Sequence, residues 1–243
     1  MSRDQRRIQL APAYILHHQP YRDTSRILEA FTREHGRLTL FARGVRGPKA
    51  KLAAVLQPFR LLLISWSGRG EAAQLTGAEC APEPVPLPPA CLMACFYLNE
   101  LLMKLTTRHD PHVALFDAYT LALGELKRGV ALEPTLRIFE KRLLEEVGFG
   151  LDLGTDADSG RGIRADEHYQ FHPAQGLKRA PRGGRGALSG RALVALANES
   201  LGSADLEDAR RLLGAAIAYC LEGRELVTRA VARSMAHRER PSS

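Results

Sequence analysis

The chain has 243 residues, of which 45% are hydrophobic and 25% are charged, and its formal net charge is +7. This length and apolar content suit a globular protein with one large domain or two ordinary ones. No window approaches the ~18 apolar residues of a membrane span, and the N-terminus lacks the apolar run of a secretory signal peptide. We therefore expect a cytoplasmic protein with no membrane contact.

Five short β-like runs precede Pro82, and turn residues separate them. The runs cover residues 13–17, 25–31, 37–42, 60–65 and 71–79. A helical turn is expected around residues 50–56. Five short strands in about 80 residues are typical of a closed Greek-key barrel of the OB type, with an SH3-like barrel as the alternative. We expect this OB domain over residues 1–80.

Positive charge is concentrated in the barrel half. Between Pro20 and Arg60, nine basic residues stand against three acids, so this stretch carries +6 of the total surplus. The loop of residues 43–51 contains no acid. Its bases are Arg43, Arg46, Lys49 and Lys51. Cations without offsetting acids favour contact with phosphates over a merely solvated surface.

Aromatic residues in the same half could stack on unpaired bases. Phe31 and Phe41 lie in strand patterns, so we expect them in the core. Tyr21 lies beside an arginine in a turn and is expected to be exposed. Cations together with an exposed aromatic ring favour a nucleic-acid-binding site.

The chain changes character at a proline-rich linker, residues 81–90. Beyond it, apolar residues recur at helical spacing, which predicts a helical domain over residues 91–240. The glycine-rich segment 148–186 interrupts this pattern, and His168–His172 followed by a Pro-Gly turn predicts a small hairpin within it. The expected fold class is therefore α+β: a five-stranded OB-type barrel followed by an all-helical domain with a long inserted loop or hairpin.

Motifs for catalysis and for metal binding are absent from the sequence. There is no phosphate-binding loop, nucleophile elbow or zinc-binding helix motif. Cys91 and Cys95 lie one helical turn apart without a second pair at metal-ligand spacing, so we expect core thiols. His109, Asp110 and His112 could be a base with its orienting group, but an interhelical connection with Asp110 as N-cap is the preferred interpretation. We expect no enzymatic activity, no metal and no cofactor.

The chain resembles the RecO family of bacterial recombination mediators over most of its length. The motifs that carry the resemblance are, in chain order, Tyr21-Arg22-Asp23-Thr24-Ser25, Gly36-Arg37-Leu38, Ala42-Arg43-Gly44-Val45-Arg46, Leu56-Gln57-Pro58-Phe59, Gly68-Arg69-Gly70-Glu71, Tyr97-Leu98-Asn99-Glu100-Leu101-Leu102 and Phe139-Glu140 to Leu143-Leu144 leading into Gly148-Phe149-Gly150-Leu151. Each motif is short, but their order and spacing are specific. The architecture of the family, an OB barrel followed by a helical domain, agrees with the fold expected above.

The resemblance implies a non-enzymatic DNA repair protein of the cytoplasm and nucleoid. Such a protein binds single- and double-stranded DNA, anneals complementary strands and joins RecR to help RecA displace the single-strand binding protein SSB. An RNA-binding OB module fused to a helical interaction domain is the alternative. The candidate DNA contacts are Tyr21, Arg22, Arg26, Arg37, Arg43, Arg46, Lys49, Lys51, Arg179 and Arg182.

The resemblance also bears on zinc and on the SSB tail. Many family members hold a cysteine-based zinc site in the segment that corresponds to residues 148–186, but this segment contains no cysteine here, so zinc is not expected. The acidic, apolar-ended C-terminal tail of SSB calls for cations beside a hydrophobic groove. The candidates in the helical domain are Arg137, Lys141 and Arg142. Their alternative is a solvated helix face paired with nearby glutamates.

Overall fold

The computed structural model describes residues 7–45, 51–68, 73–81, 86–129 and 131–231. The chain divides into two compact units, Met1–Arg128 and Gly129–Ser243. The predicted linker at 81–90 falls where strands give way to helices, whereas the structural division comes later, so the first unit holds the barrel and two long helices. Within the described ranges, no helix is both long and apolar enough to cross a bilayer.

The strands of the first unit form a closed barrel. They are β1 (Arg7–Tyr21), β2 (Ser25–Thr32), β3 (Gly36–Ala42), β4 (Leu62–Ser67) and β5 (Ala73–Cys80). Their order is β1-β2-β3-β5-β4, and a parallel contact between β3 and β5 closes the cylinder. A short helix, α1 (Lys51–Val55), lies in the connection from β3 to β4. This arrangement confirms the predicted five-stranded OB-type barrel.

Alternation along β3 separates the barrel core from its outer surface. Leu38, Leu40 and Ala42 are buried, while the residues between them are partly exposed. Val45 and Leu56, from the connection to β4, belong to the same buried cluster. Because successive side chains of a strand point to opposite faces, every second residue of β3 packs inside the barrel, and the residues between them lie on its outer side.

The strand β1 is longer than predicted. It runs for 15 residues and pairs with β2 along its second half and with β4 along its first half. Register shifts between Ile8 and Ala11 and between Ile15 and His17 bend it, which lets one strand serve two neighbours. The predicted range 13–17 covered its buried middle and missed both of its largely exposed ends.

Two helices complete the first unit, α2 (Leu92–Leu105) and α3 (Val113–Lys127). Aromatic rings join α3 to the barrel: the ring centroids of Tyr14 and Tyr119 lie 4.9 Å apart, and those of Phe31 and Phe116 lie 5.5 Å apart. All four side chains are buried. Tyr14 and Phe31 are therefore core residues of the first unit, as expected for Phe31.

A buried polar relay lies among these rings. The side-chain amide of Asn99 donates to the carbonyl of Leu16 at 2.8 Å, and the hydroxyl of Tyr119 donates to Oδ1 of Asn99. Burial raises the pKa of Tyr119, and the charges of Cys95 and Tyr14 raise it further. Each polar atom of this relay is satisfied, as burial requires.

The second unit contains helices and a small sheet. Its elements are α4 (Leu132–Glu146), β6 (His168–His172), β7 (Gly176–Ala180), β8 (Leu188–Ser189), α5 (Gly190–Ala197) and α6 (Leu206–Cys220). The strands form a sheet of order β7-β6-β8. This result confirms the hairpin predicted within 148–186 and adds the third strand, β8.

A turn centred on Asp156 stabilises the segment before this hairpin. The carboxylate of Asp156 accepts from the Ser159 hydroxyl at 2.6 Å and from the Asp158 N–H at 3.1 Å. The next residue, Ala157, donates its N–H to the carbonyl of Leu177 in β7 at 2.7 Å. The hydrogen bond from Ser159 is the main reason why the pKa of Asp156 is lowered. Hydrogen bonds thus order this segment.

Candidate nucleic-acid interface

An exposed aromatic and cationic surface lies where the β1–β2 turn meets the end of β3. The rings of Tyr21 and Phe41 meet edge to face with centroids 5.5 Å apart. The guanidinium carbon of Arg22 lies 5.3 Å from the centroid of the Tyr21 ring. Tyr21 is 36% exposed. Phe41 points to the outer side of β3 and is partly exposed, so the prediction that it is a core residue was wrong.

Arg43 lies next to this surface because Val45, two residues further along the chain, is hydrogen-bonded to the β1–β2 turn. Val45 is buried, and its N–H donates to the carbonyl of Thr24 in the β1–β2 turn at 2.9 Å. Arg43 is exposed and forms no ion pair with any described residue. We name the set of Tyr21, Arg22, Phe41 and Arg43 the barrel-end surface.

Arg26 lies at the same end of the barrel but is only partly exposed. It pairs in register with Pro20 on β1 and with Ala42 on β3. Its Nη1 is buried and has no hydrogen-bond partner among the described residues. Burial lowers the pKa of His18, and the positive charge of Arg26 lowers it further. Arg26 therefore contributes to the positive electrostatic potential at this end of the barrel, although its side chain is only partly exposed.

The guanidinium of Arg37 is held within the first unit. Its Nη1 lies 3.1 Å from Oε2 of Glu29, and its Nη2 donates to the carbonyl of Thr106 at 2.8 Å. The side chains of Arg37 and Glu29 are 11% and 10% exposed. A phosphate cannot reach this guanidinium without breaking these contacts, so we leave Arg37 out of the proposed interface.

Glu29 is the centre of this charge cluster. It accepts hydrogen bonds from Thr39, Arg37 and Arg108. Burial raises the pKa of Glu29, but the hydrogen bonds from Thr39 and Arg108 and the charges of both arginines outweigh that effect, so the pKa is lowered. The carboxylate stays ionised, and the cluster ties β2 and β3 to the connection between α2 and α3.

The connection between α2 and α3 is built against β3. His109 donates its N–H to the carbonyl of Arg37 at 2.8 Å, and Gly36 has a φ of +68°. A Cβ on Gly36 would lie 2.2 Å from the carbonyl oxygen of Asp110. The residue at the N-cap of α3 is His112, so the prediction of Asp110 as N-cap was wrong; the backbone of Asp110 instead lies against Gly36.

Part of the predicted basic loop lies outside the described residues. Arg46 and Lys49 fall in the undescribed range 46–50. Lys51 begins α1, and its side chain also lies outside the described part. These three remain predicted phosphate contacts.

The predicted DNA contacts of the second unit differ in their surroundings. Arg179 on β7 pairs with Glu167 at 2.7 Å, although its side chain is 64% exposed. Arg182 is exposed in the turn that follows, and it forms no ion pair with any described residue. A phosphate would meet Arg182 without competition, whereas Arg179 already has a carboxylate.

The three cations proposed for the SSB tail are all paired. Arg137 is buried, with Nη2 at 3.0 Å from Oε1 of the fully buried Glu140. Nζ of Lys141 lies 3.2 Å from Glu199, and the guanidinium of Arg142 donates two hydrogen bonds to the same carboxylate. The hydrogen bond from Arg142 is the main reason why the pKa of Glu199 is lowered. Sequence reasoning missed Glu199, because it lies more than 50 residues away in the chain.

Comparison with known proteins assigns both halves of the chain to one family. The family model for the recombination protein O N terminal matches residues 7–82, and that for the recombination protein O C terminal matches residues 90–230. The first match covers the described barrel, and the second covers the helices and the small sheet.

Individual relatives agree along nearly the whole chain. The DNA repair protein RecO of Methylococcus capsulatus is 44% identical over 233 residues, which cover 95% of this chain and 96% of that protein. The protein of the same name from Laribacter hongkongensis is 41% identical over 229 residues, or 92% and 93% of the two chains. That of Aromatoleum aromaticum is 39% identical over 238 residues, or 97% and 99%. The chain therefore belongs to the recombination protein O (RecO) family.

Proposed function

We propose that this protein is a recombination mediator of DNA repair. It binds single- and double-stranded DNA, anneals complementary strands and, with RecR, promotes loading of RecA on SSB-coated DNA. It does so in the cytoplasm, at the nucleoid, by binding rather than by covalent chemistry. Family membership supports the general role in DNA repair and recombination.

The barrel-end surface is the observation that carries this proposal. It combines an exposed ring with cations, which is the chemistry that single strands require: bases stack on the ring, and phosphates meet the guanidinium groups. Arg46, Lys49 and Lys51 follow Arg43 in the chain and extend the positive charge. Stacking favours unpaired bases, whereas the cations serve single strands and duplexes alike.

Annealing follows from the same charges. Two complementary strands repel each other, and a protein that neutralises phosphates on both lowers the barrier to their encounter. In the second unit, the exposed Arg182 is a further cation that can take part. We assign it this role and give Arg179 a weaker one, because Arg179 must leave Glu167 first.

The test is a salt titration of affinity with a matched control. We expect the double variant Arg22→Gln/Arg43→Gln to bind a single-stranded oligonucleotide with a log K against log salt slope shallower by about 1.4, since each lost contact removes about 0.7. The control is Arg33→Gln/Arg128→Gln, which removes the same charge at two arginines outside the barrel-end surface. An unchanged slope in the first variant would remove the barrel-end surface from the proposal.

The mediator function has its own test. We expect the protein to anneal complementary strands coated with SSB as well as bare strands, and to stimulate RecA loading once RecR is added. A protein that anneals only bare strands is not a mediator. A preference for structured RNA over DNA of the same sequence would favour the RNA-binding alternative.

We further infer that the acidic SSB tail binds the second unit at Lys141 and Arg142 by displacing Glu199. Glu199 holds both cations in the absence of a partner, so it competes with any incoming carboxylate. The variant Glu199→Gln should bind a peptide of the SSB tail more tightly, and Lys141→Gln more weakly. Equal affinities for the wild type and both variants would place the tail elsewhere.

A further inference from the structure

A pocket of about 470 Å³ lies at the end of α6 in the second unit. The residues that line it are Phe149, Ala218, Tyr219, Cys220, Glu222 and Gly223. The rings of Phe149 and Tyr219 meet there, with centroids 5.6 Å apart and planes inclined at 42°. Tyr219 is 48% exposed and Phe149 is partly exposed, so both rings still present area to a ligand.

Two helix ends place these side chains. Beyond the end of α4, Gly148 has a φ of +80°, and Phe149 donates its N–H to the carbonyl of Leu144 at 2.8 Å. This is the Schellman closure of a helix, and it fixes the backbone of Phe149. At the end of α6, Glu222 has a φ of +50° and donates its N–H to the carbonyl of Tyr219 at 3.0 Å. A glutamate therefore occupies the left-handed position that glycine usually takes after a helix.

Negative charge borders this pocket, although the chain as a whole carries +7. Glu222 is exposed and forms no ion pair with any described residue. The last turn of α6 contains no basic residue, so no cation of that turn offsets the partial negative charge of the helix C-terminus. The carboxylate and the helix end have the same sign of charge, and both attract a cation.

Two arginines follow α6 in the chain, but neither lines the pocket. Nε of Arg224 donates to the carbonyl of Leu221 at 3.1 Å. The guanidinium of Arg229 lies beside Gly214, one helical turn before Ala218, with its nitrogens 3.8 and 4.0 Å from the position of a Cβ on that glycine. These arginines thus leave the lining of the pocket open to a cation from another molecule.

We propose that this pocket binds an arginine side chain from a basic segment of a partner protein. A guanidinium group is attracted to the faces of the Phe149 and Tyr219 rings, because the face of an aromatic ring is negative. The same group donates hydrogen bonds to the carboxylate of Glu222. Arginine suits the pocket better than lysine, since its planar group stacks on rings and is more weakly hydrated. The proposal involves neither the barrel-end surface nor Lys141, Arg142 and Glu199.

The charge of the pocket argues against two other occupants. An acidic segment such as the SSB tail would be repelled by Glu222, so the partner has the opposite charge to that tail. A nucleic acid could stack bases on the two rings, but its phosphates would approach the same carboxylate. A basic peptide meets neither penalty.

The experiment compares two labelled peptides by fluorescence anisotropy with the full-length chain. One consists of Arg, Gly and Ser, and the other has citrulline, which keeps the shape of the side chain without its charge, in place of each Arg. Because the chain is positive overall, non-specific attraction does not favour a basic peptide. We expect the arginine peptide to bind at least about tenfold more tightly, and more weakly as salt is added. Equal affinities for the two peptides would overturn the proposal.

Variants assign the binding to this pocket. We expect Glu222→Gln to weaken binding of the arginine peptide about fivefold, and Tyr219→Leu, which keeps an apolar side chain but removes the ring, several-fold. The matched control is Glu207→Gln, which removes the same charge in the first turn of α6 and should bind like the wild type. Both pocket residues are exposed, so thermal unfolding should show that the variants keep the fold. Wild-type affinity in Glu222→Gln contradicts the proposal, and so does a loss in Tyr219→Leu confined to a single-stranded oligonucleotide, which would assign the pocket to nucleic acid.

Discussion

Nη1 of Arg37 lies 3.1 Å from Oε2 of Glu29, and both side chains are almost fully withdrawn from solvent. An arginine from the most basic part of the sequence thus neutralises an acid of the same barrel wall. The consequence is that charge counted along the chain overstates the charge that a phosphate can reach.

Removing the acid of this pair should destabilise the first unit. In Glu29→Gln the two guanidinium groups lose their counter-charge, and we expect a loss of about 3 kcal/mol in the free energy of unfolding at pH 7. Urea denaturation followed by tryptophan fluorescence measures it, because the single Trp66 lies in the barrel. A loss below about 0.5 kcal/mol would show that the pair contributes little.

The same variant predicts a pH dependence. The pKa of folded Glu29 is lowered from the ordinary value of 4.5, so its stabilisation is complete above that value and is lost as pH falls through the lowered one. The difference in unfolding free energy between wild type and Glu29→Gln should therefore be constant from pH 7 to about pH 5 and shrink below about pH 4. A difference that grows on acidification contradicts the assignment.

Two glycines with nearly equal φ angles separate backbone strain from steric overlap. Gly36 has φ +68° and no room for a Cβ, whereas Gly44 has φ +67° and no atom of the described residues within 4 Å of the position of a Cβ. We expect Gly44→Ala to cost about 1 kcal/mol of unfolding free energy and Gly36→Ala well over 2 kcal/mol, because only Gly36 must also displace the Asp110 backbone. If thermal or urea unfolding gives the same loss of unfolding free energy for both variants, the connection between α2 and α3 moves away from a Cβ at residue 36 at no energetic cost.

The buried relay through Asn99 gives a third stability prediction. Tyr119→Phe removes the donor to Oδ1 of Asn99 and leaves that oxygen buried without a partner, which should cost about 1 to 3 kcal/mol. Tyr14→Phe is the control, since the Tyr14 hydroxyl bonds the partly buried Thr120 and its loss should cost less. If Tyr14→Phe lowers the free energy of unfolding more than Tyr119→Phe does, the hydrogen bonds through Asn99 are not the main polar contribution to the stability of this core.

The aromatic ring of the barrel-end surface should matter for unpaired bases. We expect Tyr21→Ala to weaken binding of a single-stranded oligonucleotide by about tenfold and to leave duplex binding almost unchanged, because only unpaired bases stack. Tyr21→Phe keeps the ring and serves as the control. Fluorescence anisotropy with both substrates provides the measurement, and equal losses for strand and duplex would argue against stacking.

Local pattern was sufficient to predict the barrel, the hairpin and the helical character of the second half, but not the contacts between distant residues. The apolar Leu38 and Leu40, two residues apart in the run 37–42, placed β3 correctly, since a period of two needs no knowledge of the partner strand. The pairing of Arg142 with Glu199, and the placing of Phe41 on the outer side of the barrel, depend on tertiary packing that no local pattern encodes. The sequence shows where the cations are, but only the structure shows which of them a phosphate can reach.

The rings of Tyr14 and Phe31 face α3 rather than solvent, and this determines where a fragment of the N-terminal half can end. A fragment that stops at the end of β5 would keep every strand yet strip the cover from two large aromatic side chains, so it should be prone to self-association. We therefore expect that a fragment of the N-terminal half stays monomeric when it ends near Arg128, where the first compact unit ends, and not at the linker. Assays of the barrel in isolation should be made on that longer piece, with its two helices in place.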